Sequence, residues 1–229
     1  MKNPGKVILH IPAREGSKRV PRKNLRLMNG EPMISYTIRA ALQAGITSEL
    51  YVNTDSYEIA EYVGKAHPLF KVYDRNKDLA NDKASSDEFN YDIIRNLDPD
   101  ILVMINPVCP LIDSQDIKQA FEKFLDSDCD TLISAASTKM QTFCNDEPVN
   151  ININEQLAPS QFNAVVTTLN WAITIWDAKS FRERMENKGY AVLGEKRIFY
   201  DLEPIKGIKV SEEKDFIFAE RVLKTFNKL

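Results

Sequence analysis

Short apolar runs alternate along the chain with segments whose apolar residues recur every three or four positions. KVILHIP (6–12), ELYVNTD (49–55), FKVYD (70–74), DILVMINP (100–107) and DTLISAAS (130–137) read as buried strands. Between them the period is helical. Residues 32–44 put Ile34, Ile38, Ala41 and Leu42 on one face, with Pro32 near the start and Gly45 as the stop. Ile59, Ala60 and Val63 mark a helix over 57–66, and Phe89, Ile93, Ile94 and Leu97 mark a third. Ile117, Ala120, Phe121, Phe124 and Leu125 mark a fourth, capped by Asp113 or Ser114. Strand and helix in strict alternation predict an α/β domain with a doubly wound, mostly parallel sheet and helices on both faces.

The alternation breaks at residues 138–162, which are polar and without period, and which read either as a protruding dimerisation element or as a plain surface excursion. AVVTTLNWAITIW (164–176) reads as one bent strand or two, and a closing helix over 212–227 carries Phe218, Ala219, Val222, Leu223 and Phe226. The 229 residues read as a single domain, 1–229, with 138–170 as its arm.

Composition narrows the function classes. Hydrophobic residues make up 43% and charged residues 28%, ordinary for a globular protein with a real core. The net charge of -3 argues against a general nucleic-acid surface, so any anion site is local. Three cysteines, Cys109, Cys129 and Cys144, without C-x-x-C spacing, fit a reducing cytoplasm better than a disulfide framework or a zinc site. No apolar run is long enough for a membrane span or secretory signal.

Against that acidic background, IPAREGSKRVPRKNL (11–25) stands out, with Arg14, Lys18, Arg19, Arg22 and Lys23 around one acid, Glu15. It follows the first strand, and ligands of open α/β sheets lie beyond the strands' carboxyl ends. Gly16 and Ser17 offer backbone N–H groups for an anion-binding concavity; Arg14 suits bidentate contact with phosphate, and Lys18 and Lys23 act as point charges. The segment is neither a P-loop nor a dinucleotide fingerprint, and a solvated basic loop is the competing reading.

The same segment, extended to IPAREGSKRVPRKNLRLMNGEPMISYTIRAA, resembles the opening of the CMP-sialic acid synthetases (acylneuraminate cytidylyltransferases), I-P-A-R-x-G-S-K-x-[IL]-P-x-K-N-[IL] followed by G-x-P-[LM]-I. YVNTDSYEIAEY, DRNKDLANDKASSDE, NPVCPL, LNWAITIW and GIKVSEEKDFIFAE are similar to later family segments in the same order. The resemblance implies a three-layer nucleotide-diphosphosugar-transferase fold, a homodimer built through the 138–170 arm, and CMP transfer from CTP with magnesium to a hydroxyl of a sugar acid. Carried over position by position, it assigns Ala13, Arg14, Gly16, Ser17, Lys18, Lys23, Asn24, Arg75, Ala80 and Ser86 to the nucleotide site. Arg14 and Lys23 are its catalytic candidates, with Lys23 at the transferring centre. The plain structural alternatives are an exposed strand-end arginine for Arg75 and a helix N-cap for Ser86, with Asp87 as its rival for the cap.

Several positions depart from the family pattern. Two aspartates that hold magnesium in the family are Lys209 and Ser211 here, and an ammonium group cannot ligate a cation. Ser211 is instead the expected cap of the last helix, leaving Asp215, Glu212 or Asp201 as alternative metal ligands. On the acceptor side Asn106, Val108 and Cys109 replace a glutamine and hydroxyl residues, Thr167 and Thr168 stand where an arginine is usual, and Trp171 replaces a glycine. Asn106, Trp171 and Lys209 are therefore the acceptor-side candidates, and a core aromatic is the competing reading of Trp171. Transfer of another nucleotide, a non-sugar acceptor and a non-catalytic CTP-binding homologue remain as alternatives.

Overall fold

The computed structural model describes residues 2–226. Each apolar run is indeed a strand, and its alternate residues feed two different cores. In β1 (Val7–Pro12), Val7, Leu9 and Ile11 join one hydrophobic cluster, while Ile8 joins another on the opposite face. The short pair β2 (Leu27–Met28) and β3 (Glu31–Pro32) leads into α1 (Met33–Ala44). Next come β4 (Leu50–Thr54), α2 (Tyr57–Ala66), β5 (Lys71–Asp74), α3 (Ser86–Leu97), β6 (Ile101–Ile105), α4 (Ser114–Asp126) and β7 (Thr131–Thr138). The chain then forms a small hairpin, β8 (Phe143–Cys144) and β9 (Glu147–Pro148), before β10 (Val166–Asp177), α5 (Ala178–Lys188), β11 (Arg197–Asp201) and α6 (Glu213–Phe226).

Seven strands make one sheet in the order β11-β7-β10-β6-β1-β4-β5. Every adjacent pair is parallel except those involving β10, which is antiparallel to both β6 and β7. Helices α1, α2 and α4 pack on one face through Ile34, Ile38, Val63, Ile117 and Phe124. On the other face, α3 and α5 pack through Ile93, Ile94 and Phe181, with Trp176 between them. That is the three-layer α/β architecture expected. A third cluster ties α6 to the basic loop: Phe216, Ala219 and Leu223 pack with Val20 and Met28.

Local chemistry sets the helix ends. Gly45 closes α1 in the left-handed conformation, φ 63°, that a glycine adopts at little cost. Asp113 caps α4 in a reciprocal box with Asp116. The cap of α3 is Ser85, not Ser86: the Ser85 hydroxyl accepts from the Glu88 amide while the Glu88 carboxylate accepts from the Ser85 amide, and Ser86 is the first helical residue. Ser211 is likewise not the residue before α6; the Asp215 carboxylate satisfies the entry by accepting from the Ser211 and Glu212 amides at 2.9 and 2.8 Å.

Other expectations shift. Leu42 is 40% exposed, because the face of α1 that meets the sheet is narrower than the apolar stripe in its sequence. Helix α5 and strand β11 were not anticipated: α5 buries only Ala178 and Phe181, and β11 lies at the sheet edge with alternate residues exposed. The Phe226 side chain and residue 227, expected in the closing helix, lie outside the described residues. Between β7 and β10 the chain exposes Met140, Phe143, Val149, Ile153, Leu157 and Phe162. Cys109 and Cys129 are buried and Cys144 exposed, all with free thiols. Among the described residues no helix is long and apolar enough to cross a membrane.

Candidate active site

Strands β1, β4, β5 and β6 all run the same way, so the residues that follow them meet at one edge of the sheet. Arg14 follows β1, Arg75 follows β5, and Asn106 follows β6. These three line one cleft of about 640 Å³ together with Gly16, Ser17, Lys18 and Arg19 from the basic loop. Lys23, Asn24, Ser86, Lys209 and Ser211 complete the same wall. Residues from Arg14 to Ser211 thus share one cavity, and the basic loop forms part of its wall.

The loop's geometry is set by the sheet edge. Ala13 is fully buried and its amide donates to the Asn53 carbonyl at 2.9 Å, so it contributes through the backbone rather than through a side chain in the cleft. The Glu15 amide donates to the Asp55 carboxylate at 3.0 Å. The Ser17 amide donates to the Glu15 carbonyl at 2.9 Å, which removes one of the two N–H groups expected to face an anion. Among the described residues the Gly16 amide has no such partner. The Arg14 guanidinium donates to the Ala80 carbonyl at 3.2 Å and to Asp82 at 3.0 Å, and Lys18 is ion-paired with the same carboxylate. Ala80 therefore acts through its carbonyl, by aiming Arg14. Asp82 lines the cleft, and its role was not read from the sequence.

Lys23 is held differently. Its ammonium donates to the Val210 carbonyl at 3.0 Å. Burial, followed by the charges of Arg19, Lys209 and Arg14, lowers its pKa to about 8. Asn24 is buried, its amide nitrogen on the Arg14 carbonyl at 3.3 Å and its side-chain oxygen without a partner.

Arg75 is not an exposed strand-end residue. It is 5% exposed, donates through Nε to Asn53 Oδ1 at 2.7 Å and through a terminal nitrogen to the Asn53 carbonyl at 3.0 Å, and lies 4.7 Å over the Phe89 ring. Burial lowers its pKa to about 10, against the raising effect of Asp55. His10 is wholly buried, its ring 6.4 Å from Phe89, with neither ring nitrogen paired. Burial and then the Arg75 charge push it down to about 3, so it is a neutral imidazole in the cell's pH range.

On the acceptor side, the Asn106 side-chain oxygen accepts from the Val108 amide at 3.3 Å, bracing the turn after β6. Trp171 does not line this cleft. It lies in a neighbouring groove of about 740 Å³ with Tyr190 and Leu193, and the two cavities meet at Ser86. It is half-buried at an irregularity in β10, between the paired residues Leu169 and Thr174, with φ 60°. A tryptophan in the left-handed region costs about 1–2 kcal/mol, and this is the position where the resembling pattern has glycine.

The donor set does not fit a magnesium ion held by this chain. Among the described residues no three His, Cys, Asp or Glu side chains gather as ligands. Lys209 and Ser211 line the cleft where the resembling pattern has carboxylates, and Asp82, the carboxylate that does line it, is taken by Arg14 and Lys18. Asp215 is engaged by two amides, Glu212 by Lys214, and Asp201 by the Ser137 amide at 2.9 Å.

A family model described as cytidylyltransferase matches residues 8–200. The pseudaminic acid cytidylyltransferase of Campylobacter jejuni subsp. jejuni serotype O:2 is 37% identical over 130 residues, 55% of this chain and 56% of that protein. The CMP-N,N'-diacetyllegionaminic acid synthase of Legionella pneumophila is 35% identical over 122 residues, 51% of this chain and 52% of that protein. The matched stretch thus spans little more than half the length of these curated relatives. A solved CMP:2-keto-3-deoxy-manno-octonic acid synthetase complexed with CTP superposes with a TM-score of 0.69 over 96% of this chain and 99% of its own, at 16% identity, a likeness of fold.

Proposed function

The chain belongs to the cytidylyltransferase family, and from that premise we propose that it transfers CMP from CTP to a hydroxyl of a sugar acid of the nonulosonic type. The observation that carries this reading is the single cleft joining Arg14, Lys18, Lys23, Arg75 and Lys209 at the carboxyl edge of the sheet. In the proposed reaction the acceptor oxygen forms a bond to the α-phosphorus, the bond from that phosphorus to its bridging oxygen breaks, and pyrophosphate leaves with the electron pair. The hydroxyl proton passes to water. Arg14, Lys18 and Lys23 hold the phosphates and stabilise charge as it moves to the leaving group. Any magnesium arrives on the nucleotide, not on carboxylates of this chain. Exposed Met140, Phe143 and Phe162 support a homodimer formed through the arm.

The direct test is pyrophosphate release from CTP, UTP, GTP and ATP over a panel of sugar acids. Release confined to CTP with a sugar acid supports the reading. CTP binding without release on any acceptor supports a non-catalytic homologue, the alternative favoured by Lys209 and Ser211.

Lys23 makes binding pH-dependent in a defined direction. Its depressed pKa of about 8 returns towards 10.5 when phosphate oxygens surround it, so forming the complex takes up a proton between those values. CTP affinity is expected to fall as pH rises above about 8. Calorimetry in two buffers of different ionisation enthalpy shows the uptake, and Lys23→Met abolishes it.

Trp171 is assigned to the acceptor. Trp171→Gly removes the left-handed strain while emptying the groove beside Ser86. The acceptor KM is expected to rise roughly tenfold, the loss of one stacked or apolar contact, with the KM for CTP unchanged. An unaltered acceptor KM would place the acceptor elsewhere.

A further inference from the structure

We propose that Lys209 is a built-in cationic ligand for the nucleotide's polyphosphate, so that this chain binds CTP without a divalent cation held by its own side chains. The inference deepens the cytidylyltransferase reading and rests on it for the identity of the nucleotide.

Position is the first argument. Residue 210 is clamped on both sides of its peptide: the Val210 amide donates to the Val108 carbonyl at 2.8 Å, and its carbonyl accepts from Lys23 at 3.0 Å. The Val210 side chain is fully buried beside Val20 and Phe216. The preceding residue is therefore fixed in place, and its side chain lines the cleft together with the basic loop. A flexible tail lysine would have no such registration.

Charge is the second. Arg14 and Lys18 share Asp82 in the cleft. Lys209, by contrast, has no hydrogen bond or ion pair to a described residue, and neither does Arg19. Lys209 lies near enough to Lys23 for its charge to help hold that ammonium below its ordinary pKa. A cleft that crowds unpaired cations together is complementary to a polyanion, and an ammonium supplies the counter-charge that a metal would otherwise supply.

The donor chemistry is the third. Ser211 stands where the resembling pattern has a second carboxylate, Asp82 is held by Arg14 and Lys18, Asp215 is occupied in the turn before α6, and no three-ligand acidic cluster exists among the described residues. The cleft is thus built for phosphate oxygens and not for a bare cation.

Binding of CTP and of inorganic triphosphate, followed by calorimetry in excess EDTA and again in magnesium, tests this. The wild-type protein is expected to bind both probes in EDTA. Lys209→Met is expected to weaken both by about 10- to 100-fold in EDTA, the worth of one charged hydrogen-bonding group, and Lys209→Arg to restore them. An unchanged thermal midpoint in Lys209→Met shows that the loss is not one of folding, since the side chain is exposed. Lys209→Asp is expected to make binding depend on magnesium. Wild-type binding seen only in magnesium, or a Lys209→Met affinity equal to wild type in EDTA, overturns the inference. The cytidylyltransferase reading fails separately: triphosphate binding that depends on Lys209, with no preference of the protein for CTP over other nucleotides, removes that reading and leaves the role of Lys209 standing.

Discussion

Lys23→Ala is expected to lower kcat by roughly 100- to 1000-fold, the usual loss when one preorganised donor to a developing oxyanion is removed. Lys23 is the cation in the cleft that is both partly buried and registered, through the Val210 carbonyl, on a second part of the chain. Its field is less screened than that of exposed Lys18, and it does not share Asp82. The loss should fall on kcat more than on the KM for CTP, because the charge that Lys23 meets grows as pyrophosphate departs. Circular dichroism and the thermal midpoint are expected to stay near wild type. Retention of full turnover would show that Lys23 only lines the cleft.

Arg75→Met carries the second large effect, and here fold and site fall together. The guanidinium is buried against Phe89 and satisfies both Asn53 Oδ1 and the Asn53 carbonyl. Methionine fills much of the volume but leaves Asn53 Oδ1 without its donor, a buried unsatisfied group that costs about 1–3 kcal/mol, while the Asn53 carbonyl keeps the Ala13 amide. Partial relief comes from His10, whose neutral ring no longer faces a buried charge. A net loss of about 1–2 kcal/mol is expected, which lowers the thermal midpoint by roughly 2–8 °C in a domain of this size. CTP affinity is expected to fall about tenfold or more at a temperature where the variant is folded, since Arg75 also lines the cleft. Thermal unfolding and calorimetry at one temperature separate the two losses.

The parallel core and the place of the basic loop in the cleft were legible in the sequence because their signals are local. Val7, Leu9 and Ile11 alternate with Ile8 as a doubly covered strand must, and the long basic motif keeps its residues in one stretch. What escaped depended on contacts across the chain. Asp82 meets Arg14 across 68 positions. The Ser17 amide turns onto Glu15, a detail of loop geometry that residue type does not reveal. Strand β11 owes its place to β7, and α5 has too few buried positions to show a helical period. Two local features had usable signals. Ser85 stands three residues before Glu88, the spacing of a capping box, and the glycine expected at Trp171 foretold a left-handed backbone there.

The Asp82 carboxylate, gripping both Arg14 and Lys18, means that the resting cleft already contains an anion of its own. Filling the cleft with phosphate is then an exchange rather than an addition: each incoming oxygen competes with a tethered rival at high local concentration. In the proposed reaction the same rival is waiting when pyrophosphate loosens. A grip strong enough to order a triphosphate would thereby be kept from becoming a trap for the product.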